Sequence, residues 1–271
     1  MATYTRLVAE VGSTHDGNLD KLLGLVHMAK VIGADAVKLQ WISSVDRLVA
    51  RRNAASYRDA YARIAFPEEW LDVAKEEADR HGLEFWCTVY LPEDVYPVAQ
   101  RARTLKLASF EAGDEALWKA VRAAQKPVVV STGMQDTTQA QATCRLARPG
   151  DAVLHCVSAY PTPMEQANLK AMRWLRAHVN PAVRVGFSDH TGAVITGAIA
   201  ATLGAEVIEF HVALPSTDHE NPDLLVALQH PDAVRYVQFV RQAENLIRDV
   251  GIKHVQDAEE PMRAYLAREM P

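Results

Sequence analysis

Three kinds of feature are scarce or missing in this 271-residue chain, and each absence removes a class of function. Cysteine is scarce: Cys87, Cys144 and Cys156 are odd in number and lack close pair spacing. That excludes a disulfide framework and fits a reducing cytoplasm. No basic stripe or block is present, and the net charge is −5, so nucleic acid is not an expected partner. No apolar run is long enough to span a bilayer. Met1–Arg6 leads directly into an apolar segment with no signal-peptide pattern, which again points to a cytoplasmic protein without a membrane partner. Linkers, internal repeats and low-complexity segments are also absent. The composition, 49% hydrophobic and 23% charged, is that of an ordinary globular chain with enough apolar residues for one large core.

What is present is a regular alternation of short β-rich runs with longer helical patterns. Strands are predicted at Leu7–Val11, Ala36–Leu39, Glu84–Thr88, Leu105–Ala108, Pro127–Ser131, Ala152–His155, Arg184–Phe187 and Val207–Phe210. Helices are predicted at Leu19–Ile32, Pro67–His81, Val95–Arg101, Glu115–Ala124, Thr137–Leu146, Asn168–His178, Val194–Leu203 and Pro231–Val250. Pro67 before one helix and Gly33 or Gly82 after others are the usual start and stop signals. Eight strand–helix pairs imply an α/β fold, a single TIM (β/α)8 barrel occupying residues 1–271, with 251–271 as a polar C-terminal tail. The tail carries one amphipathic patch, Met262–Leu266. Two connections, Trp41–Phe66 and Val212–His230, are long, and both follow strands, so both belong to the catalytic face.

The stretch Val185–His211 ties the chain together. His190 and His211 stand 21 residues apart, the distance of one β-helix-β unit, so both reach the same end of neighbouring strands. Neutral imidazole is the commonest metal ligand, and Asp189 beside His190 would be an orienting partner. Two hydrogen-bonded structural histidines are an equally good reading of the same spacing. Other polar residues gather where strands end: Glu10, Lys38, Gln40, Thr88, Lys106, Ser109, Glu111, Ser131, Thr132, His155, Ser158, Tyr160, Ser188 and Glu209. Lys38 and Lys106 lie within apolar strands, where an ammonium needs an anionic partner. With the hydroxyls of Thr88, Ser109, Ser131 and Ser188 they suit a phosphate or carboxylate. The competing reading is a structural pair with Glu10 or Glu111. Ser131-Thr-Gly-Met fits a phosphate-binding turn but is weakly specific. His15, His27, His178 and His230 carry no assigned role, and Cys156 is read as packing.

Ala9–Gly17, Gly33–Gln40, Ser131–Met134, Leu154–Cys156, Tyr160–Pro163, Ser188–Thr191 and Gly204–His211 follow one another in an order that resembles the N-acetylneuraminate (sialic acid) synthase family. The resemblance runs over nearly the whole chain, to about Val250. It implies condensation of phosphoenolpyruvate with a sugar aldehyde to a 2-keto-3-deoxy acid, in a homodimer that uses a divalent metal, Mn²⁺ first and Mg²⁺ or Co²⁺ as alternatives. Carried over by position, His190 and His211 match the metal ligands. Lys38, Thr88, Lys106, Ser109, Ser131 and Ser188 match the phosphoenolpyruvate site. Glu111 matches a proton-transferring carboxylate. Gln40, Tyr160, Glu209 and Asp223 match acceptor-side positions, Asp223 after allowing one extra residue beyond His211. Glu10 and Ser158 complete the substrate-binding set, Ser158 and Ala159 standing where some members carry Asn.

Two further departures bear on the acceptor. Phe210 replaces a Lys or Arg, which is expected to remove a cation near the metal. Family members continue into a small antifreeze-like domain where this chain ends at Pro271, so a separate protein supplying that domain is a possible partner. The expected acceptor is therefore an aldehyde other than N-acetylmannosamine. Two alternatives stand beside the synthase: a metal-dependent hydrolase or isomerase on the same barrel, and a non-catalytic barrel binding a phosphorylated metabolite.

Overall fold

The computed structural model describes residues 4–248, 251 and 253–269. Eight parallel strands close into a barrel in sequence order: β1 (Arg6–Glu10), β2 (Ala36–Gln40), β3 (Glu84–Thr88), β4 (Thr104–Leu107), β5 (Val128–Ser131), β6 (Ala152–Cys156), β7 (Arg184–Asp189) and β8 (Val207–His211). The ring closes where β1 pairs with β8, Glu10 opposite His211. Among the described residues the helices are α1 (Leu19–Val31), α2 (Val45–Arg52), α3 (Arg58–Ile64), α4 (Glu69–Arg80), α5 (Val95–Ala99), α6 (Glu115–Ala123), α7 (Thr137–Leu146), α8 (Ala171–His178), α9 (Thr196–Thr202), α10 (Asp232–Leu246) and α11 (Glu260–Glu269). None of the described helices is long and apolar enough to cross a membrane.

Local chemistry sets the boundaries. The Asn18 side chain accepts from the Lys21 amide and starts α1, which ends before Gly33 at φ +84°. Asp136 and Gln139 form a reciprocal capping box on α7. The expected helix to Val250 stops at Leu246, and residues 249 and 250 lie outside the described set.

The predicted long connection Trp41–Phe66 is not a plain loop. It folds into α2 and α3, because Leu48, Tyr61 and Ile64 find a small core of their own against Ile42, Tyr90 and Leu91. The 251–271 tail likewise contains α11.

Alternation along each strand divides the side chains into two sets. Outward residues such as Val37, Leu39, Val128, Val130, Phe187, Ile208 and Phe210 pack into the apolar layer under the helices. Inward residues at the lower end, Val8, Ala36, Trp86, Val129, Ala152, Leu154 and Val207, plug the barrel. The next inward positions above this plug are polar, and they form the site.

Gly186 shows how tightly the plug is built. A Cβ there would overlap the Val207 carbonyl oxygen and stand 2.8 Å from Leu154 Cδ2. The main obstacle is backbone, which cannot swing aside. Gly186→Ala should therefore lower stability by about 2–3 kcal/mol, read as a lower urea midpoint; an unchanged midpoint would mean the barrel relaxes freely at this layer.

Candidate active site

The mouth of the barrel collects almost every residue the strand-end pattern selected. Glu10, Lys38, Thr88, Lys106, Ser131, Ser188, Glu209 and His211 occupy alternating strand positions and are all buried. Lys38 Nζ lies 2.6 Å from Glu10 Oε2 and 3.6 Å from Glu209 Oε2. It also donates to Thr88 Oγ1 at 3.0 Å. Burial opposes its charge, but Glu10 and Glu209 outweigh burial and hold Lys38 above the ordinary lysine range. The structural Lys–Glu pair is thus present for Lys38, with Glu10 as partner. Glu111 pairs with neither lysine.

Lys106 is different. Its closest carboxylate oxygen, Glu209 Oε1, is 3.8 Å away, and its hydrogen bond goes to the Leu107 carbonyl at 3.2 Å. Burial, only partly offset by Glu209, pulls its pKa below the ordinary value. Glu209 experiences the reverse balance. Burial disfavours its charge, yet Lys106, Lys38, His211 and the 3.0 Å hydrogen bond from Ser188 hold it at about 2. The nearby Ser131 Oγ is buried with no hydrogen-bond partner. Gln40 donates to Glu10 at 2.6 Å and accepts from Tyr90 at 2.6 Å.

The Ser131-Thr-Gly-Met turn adds a second group of donors. The Gly133 amide donates to Ser109 Oγ at 3.1 Å. A Cβ on Gly133 would collide with Ser158 Oγ and stand 2.8 Å from Ser109 Oγ, so the bare glycine lets three polar groups converge.

His190 and His211 face each other with ring centroids 5.4 Å apart. Tyr160 stacks on His190 at 4.2 Å, and its hydroxyl lies 3.0 Å from His190 Nε2. His190 Nδ1 lies 2.8 Å from the Val157 carbonyl, which can only accept. Nδ1 therefore carries a proton, and Nε2 is directed at the Tyr160 hydroxyl. Burial disfavours a charged His190, but the Cys156 sulfur, 3.6 Å from Nδ1, and the Val157 carbonyl lift its pKa to about 9. Burial lowers His211 to about 4, keeping it neutral at pH 7. Its Nδ1 is buried without a hydrogen-bond partner, 3.8 Å from Asp223 Oδ2. Asp223 is held by the Ser13 amide at 2.8 Å and the Ser13 hydroxyl at 2.7 Å. Gly12, at φ +53°, leaves room for Asp223 and the His211 ring to approach. Among the described residues no three His, Cys, Asp or Glu side chains converge as a metal centre.

Three sequence expectations are corrected. Asp189 does not orient His190. It points outward and accepts from Tyr236 at 2.8 Å, from the Thr191 amide at 2.9 Å, and from Thr196. Phe210 also points outward, stacked on Tyr236 at 4.5 Å, so its ring does not alter the charge beside the histidines. His155 faces the helices, stacked on Phe187 at 6.0 Å. All three sit one residue from an inward position, and alternation sends them to the other face.

The structure also adds residues the sequence reading passed over. Cys156 touches His190 rather than merely packing. Ser13 and Asn221 fasten Asp223 in place. His15, given no role, is buried, accepts from the Gly17 amide at 3.1 Å, and leaves Nε2 unpartnered. Glu111 is held by Arg52 from the long connection after β2. The short Gly-Ser-Thr-His run after β1 was the available signal for His15; nothing local marked Arg52.

A closed (β/α)8 barrel whose C-terminal mouth holds two buried lysines, a cluster of hydroxyls and a facing histidine pair defines a TIM-barrel enzyme site built for an anionic substrate. Residues 25–251 match the NeuB family, and the chain belongs to that family. It is 31% identical to a pseudaminic acid synthase of Campylobacter jejuni, over 90% of this chain and 75% of that one. It is 30% identical to an N,N'-diacetyllegionaminic acid synthase of Legionella pneumophila, over 97% of this chain and 78% of that one. Its fold matches the crystal structure of an N-acetylneuraminic acid synthetase from Leptospira borgpetersenii in complex with citrate, with TM-score 0.84, 22% identity, and coverage of 98% and 92% of the two chains.

The Gly133 cradle yields a prediction that separates site from scaffold. The atoms a new Cβ would meet first are serine hydroxyls, which can rotate away. Gly133→Ala should therefore change stability, read from the urea midpoint, by about 1 kcal/mol or less, while weakening the binding of inorganic phosphate severalfold. A large stability loss with intact phosphate binding would show that the cradle is only structural.

Proposed function

We propose that this barrel is a phosphoenolpyruvate-dependent sugar-acid synthase. It joins C3 of phosphoenolpyruvate to the carbonyl carbon of a sugar aldehyde, releasing phosphate and giving a 2-keto-3-deoxy sugar acid. The observation that carries this is Lys106, a buried lysine whose closest carboxylate oxygen is 3.8 Å away, in the same mouth as the unpartnered Ser131 hydroxyl. A buried cationic group and a free donor favour a bound anion. Relatives named as pseudaminic and legionaminic acid synthases share this chain over nine-tenths or more of its length. They favour the synthase over a hydrolase, an isomerase or a non-catalytic barrel.

The geometry supports the following assignment of roles. Lys38, Lys106 and the hydroxyls of Thr88, Ser109, Ser131 and Ser188 hold the phosphate and carboxylate of phosphoenolpyruvate. As the enol carbon C3 forms the new bond to the aldehyde carbon, C2 becomes electron-poor. Glu209, held ionised at about 2, faces that developing positive charge. Water adds at C2, and the C2–O bond to phosphate then breaks. Glu111 accepts and returns the protons of these last steps. Gln40, Tyr160, Ser158, Glu10 and Asp223 surround the acceptor side.

We assign His190 and His211 to a divalent cation, Mn²⁺ first. The residues fit such an ion: His211 is neutral with an unpartnered buried Nδ1, and His190 has its Nδ1 proton engaged, leaving Nε2, now beside the Tyr160 hydroxyl, as the ligating nitrogen. His190 Nε2 becomes available once its own proton leaves, so uptake is favoured by rising pH. When bound, a divalent cation polarises the acceptor carbonyl. The free, buried Cys87, Cys144 and Cys156 fit a reducing cytoplasm as the setting.

Release of inorganic phosphate from phosphoenolpyruvate, across a panel of aldoses and amino-sugar aldehydes with Mn²⁺, tests the reading directly; no aldehyde-dependent release with any of them overturns it. Lys106→Met should weaken phosphoenolpyruvate binding by about 2 kcal/mol or more in calorimetry, and equal affinity would reject the anion assignment. Bound Mn²⁺ should fall sharply in His190→Ala and His211→Ala proteins. Parent-level stoichiometry in both would rule out the histidine assignment.

A further inference from the structure

We infer that Arg52 is a positioning residue for Glu111, one that makes the proton-handling carboxylate depend on the seating of the long connection after β2. The inference rests on the proton role assigned to Glu111 above. Arg52 lies in the last turn of α2, yet its side chain is only 11% exposed. Its Nε donates to Glu111 Oε1 at 2.7 Å and its Nη2 to Glu111 Oε2 at 2.8 Å. The fork binds both carboxylate oxygens, which fixes the plane of the carboxylate as well as its charge.

The guanidinium is itself held on every side. Nη1 donates to the Tyr61 hydroxyl at 2.8 Å. The rings of Phe110, Tyr90 and Tyr61 lie 4.8, 4.9 and 5.6 Å from Cζ. Those rings come from α3, from the segment after β3 and from the turn after β4. A lysine could supply the charge here but neither the paired contacts nor the planar stacking.

The electrostatics around Glu111 give the inference a direction. Glu111 faces Arg52 from α2, Lys106 from β4, Asp114 from its own turn and the Tyr90 hydroxyl from beyond β3. Burial is the largest influence and raises its pKa; Arg52 is the main force in the other direction, with Lys106 adding to it and Asp114 working against it. Removing Arg52 leaves burial less opposed, so the carboxyl should hold its proton to higher pH. The neighbouring Arg51 supplies an internal control. It pairs with Asp114, the cap of α6, through Nε at 2.8 Å, and fastens the same two segments without touching Glu111.

The test uses two readouts on the full chain. The first is ligand-free: ¹³C NMR titration of the Glu111 carboxyl, assigned by its loss in Glu111→Gln. The second is the pH profile of aldehyde-dependent phosphate release. In Arg52→Met the Glu111 titration should move up by one pH unit or more. The Glu111-dependent limb of the rate profile should move with it, and kcat should fall by about tenfold or more. Arg52→Lys, which keeps the charge, should restore the titration more than the rate. Arg51→Met, which only unpairs Asp114, should move the Glu111 titration far less than Arg52→Met does. Should Arg52→Met fail to fold, Arg52→Lys still decides, because a structural role predicts parent-like rates once folding is restored. A Glu111 titration unmoved in Arg52→Met overturns the inference, whatever the rate does. A shifted titration in a chain that releases no phosphate sustains the Arg52–Glu111 coupling and overturns only the proposed function.

Discussion

The interior of this barrel holds two lysines and two glutamates where an ordinary core would hold aliphatic side chains, and the arrangement of the site depends on how those four charges balance. A charged group taken out of water is costly unless another charge and well-placed donors offset the loss. Lys38 and Glu10 satisfy each other at 2.6 Å. Glu209 lies between both lysines, 3.6 Å from Lys38 and 3.8 Å from Lys106, within ion-pair range of each but not hydrogen-bonded to either. The layer is balanced in formal charge but looser at the Lys106 end, where the nearest carboxylate oxygen is 3.8 Å away. The apolar plug beneath, centred on Trp86 and Leu154, closes the barrel below these charges.

The histidine pair follows the same economy of neighbours. His211 is buried and neutral, and its Nδ1 looks toward Asp223 without reaching hydrogen-bond distance. His190 is bound on one side by a carbonyl and on the other by a tyrosine hydroxyl. Asp223 arrives from the connection after β8 and Ser13 from the connection after β1, two segments that meet because β1 and β8 close the barrel. Closure of the ring is thus a condition for the chemistry of the site.

The long connection after β2 makes a comparable contribution from outside the barrel. Its small core of Leu48, Ile42, Tyr90 and Leu91 lets α2 settle against the mouth, and Arg51 and Arg52 then reach two carboxylates in the turn after β4. An exposed ion pair of this kind adds little to stability. A buried bidentate one ringed by aromatic side chains is a strong constraint on geometry.

Much of this was legible in the chain itself. Eight β-rich runs alternating with helical patterns dictate the barrel, since parallel strands need helical crossovers and eight such units close a ring. Lys38 and Lys106 stood out because an ammonium inside an apolar strand demands an explanation. The spacing of His190 and His211 placed them on adjacent strand ends. The orientation of Asp189, Phe210 and His155 differs from the expectation because position at a strand end does not decide which face a side chain takes: the two-residue period of a strand sends neighbours to opposite faces. Applying that period strictly from Glu209 and His211 would have placed Phe210 outside. The pairing of Arg52 with Glu111 is another matter: 59 residues separate them, and neither neighbourhood carries a periodic or local signal of the other. Such a contact exists only once α2 has found its own small core and the barrel has brought the turn after β4 beside it. Periodicity is a property of the backbone and can be read along the chain. The meeting of two side chains from distant segments is a property of packing, and only the folded barrel decides it.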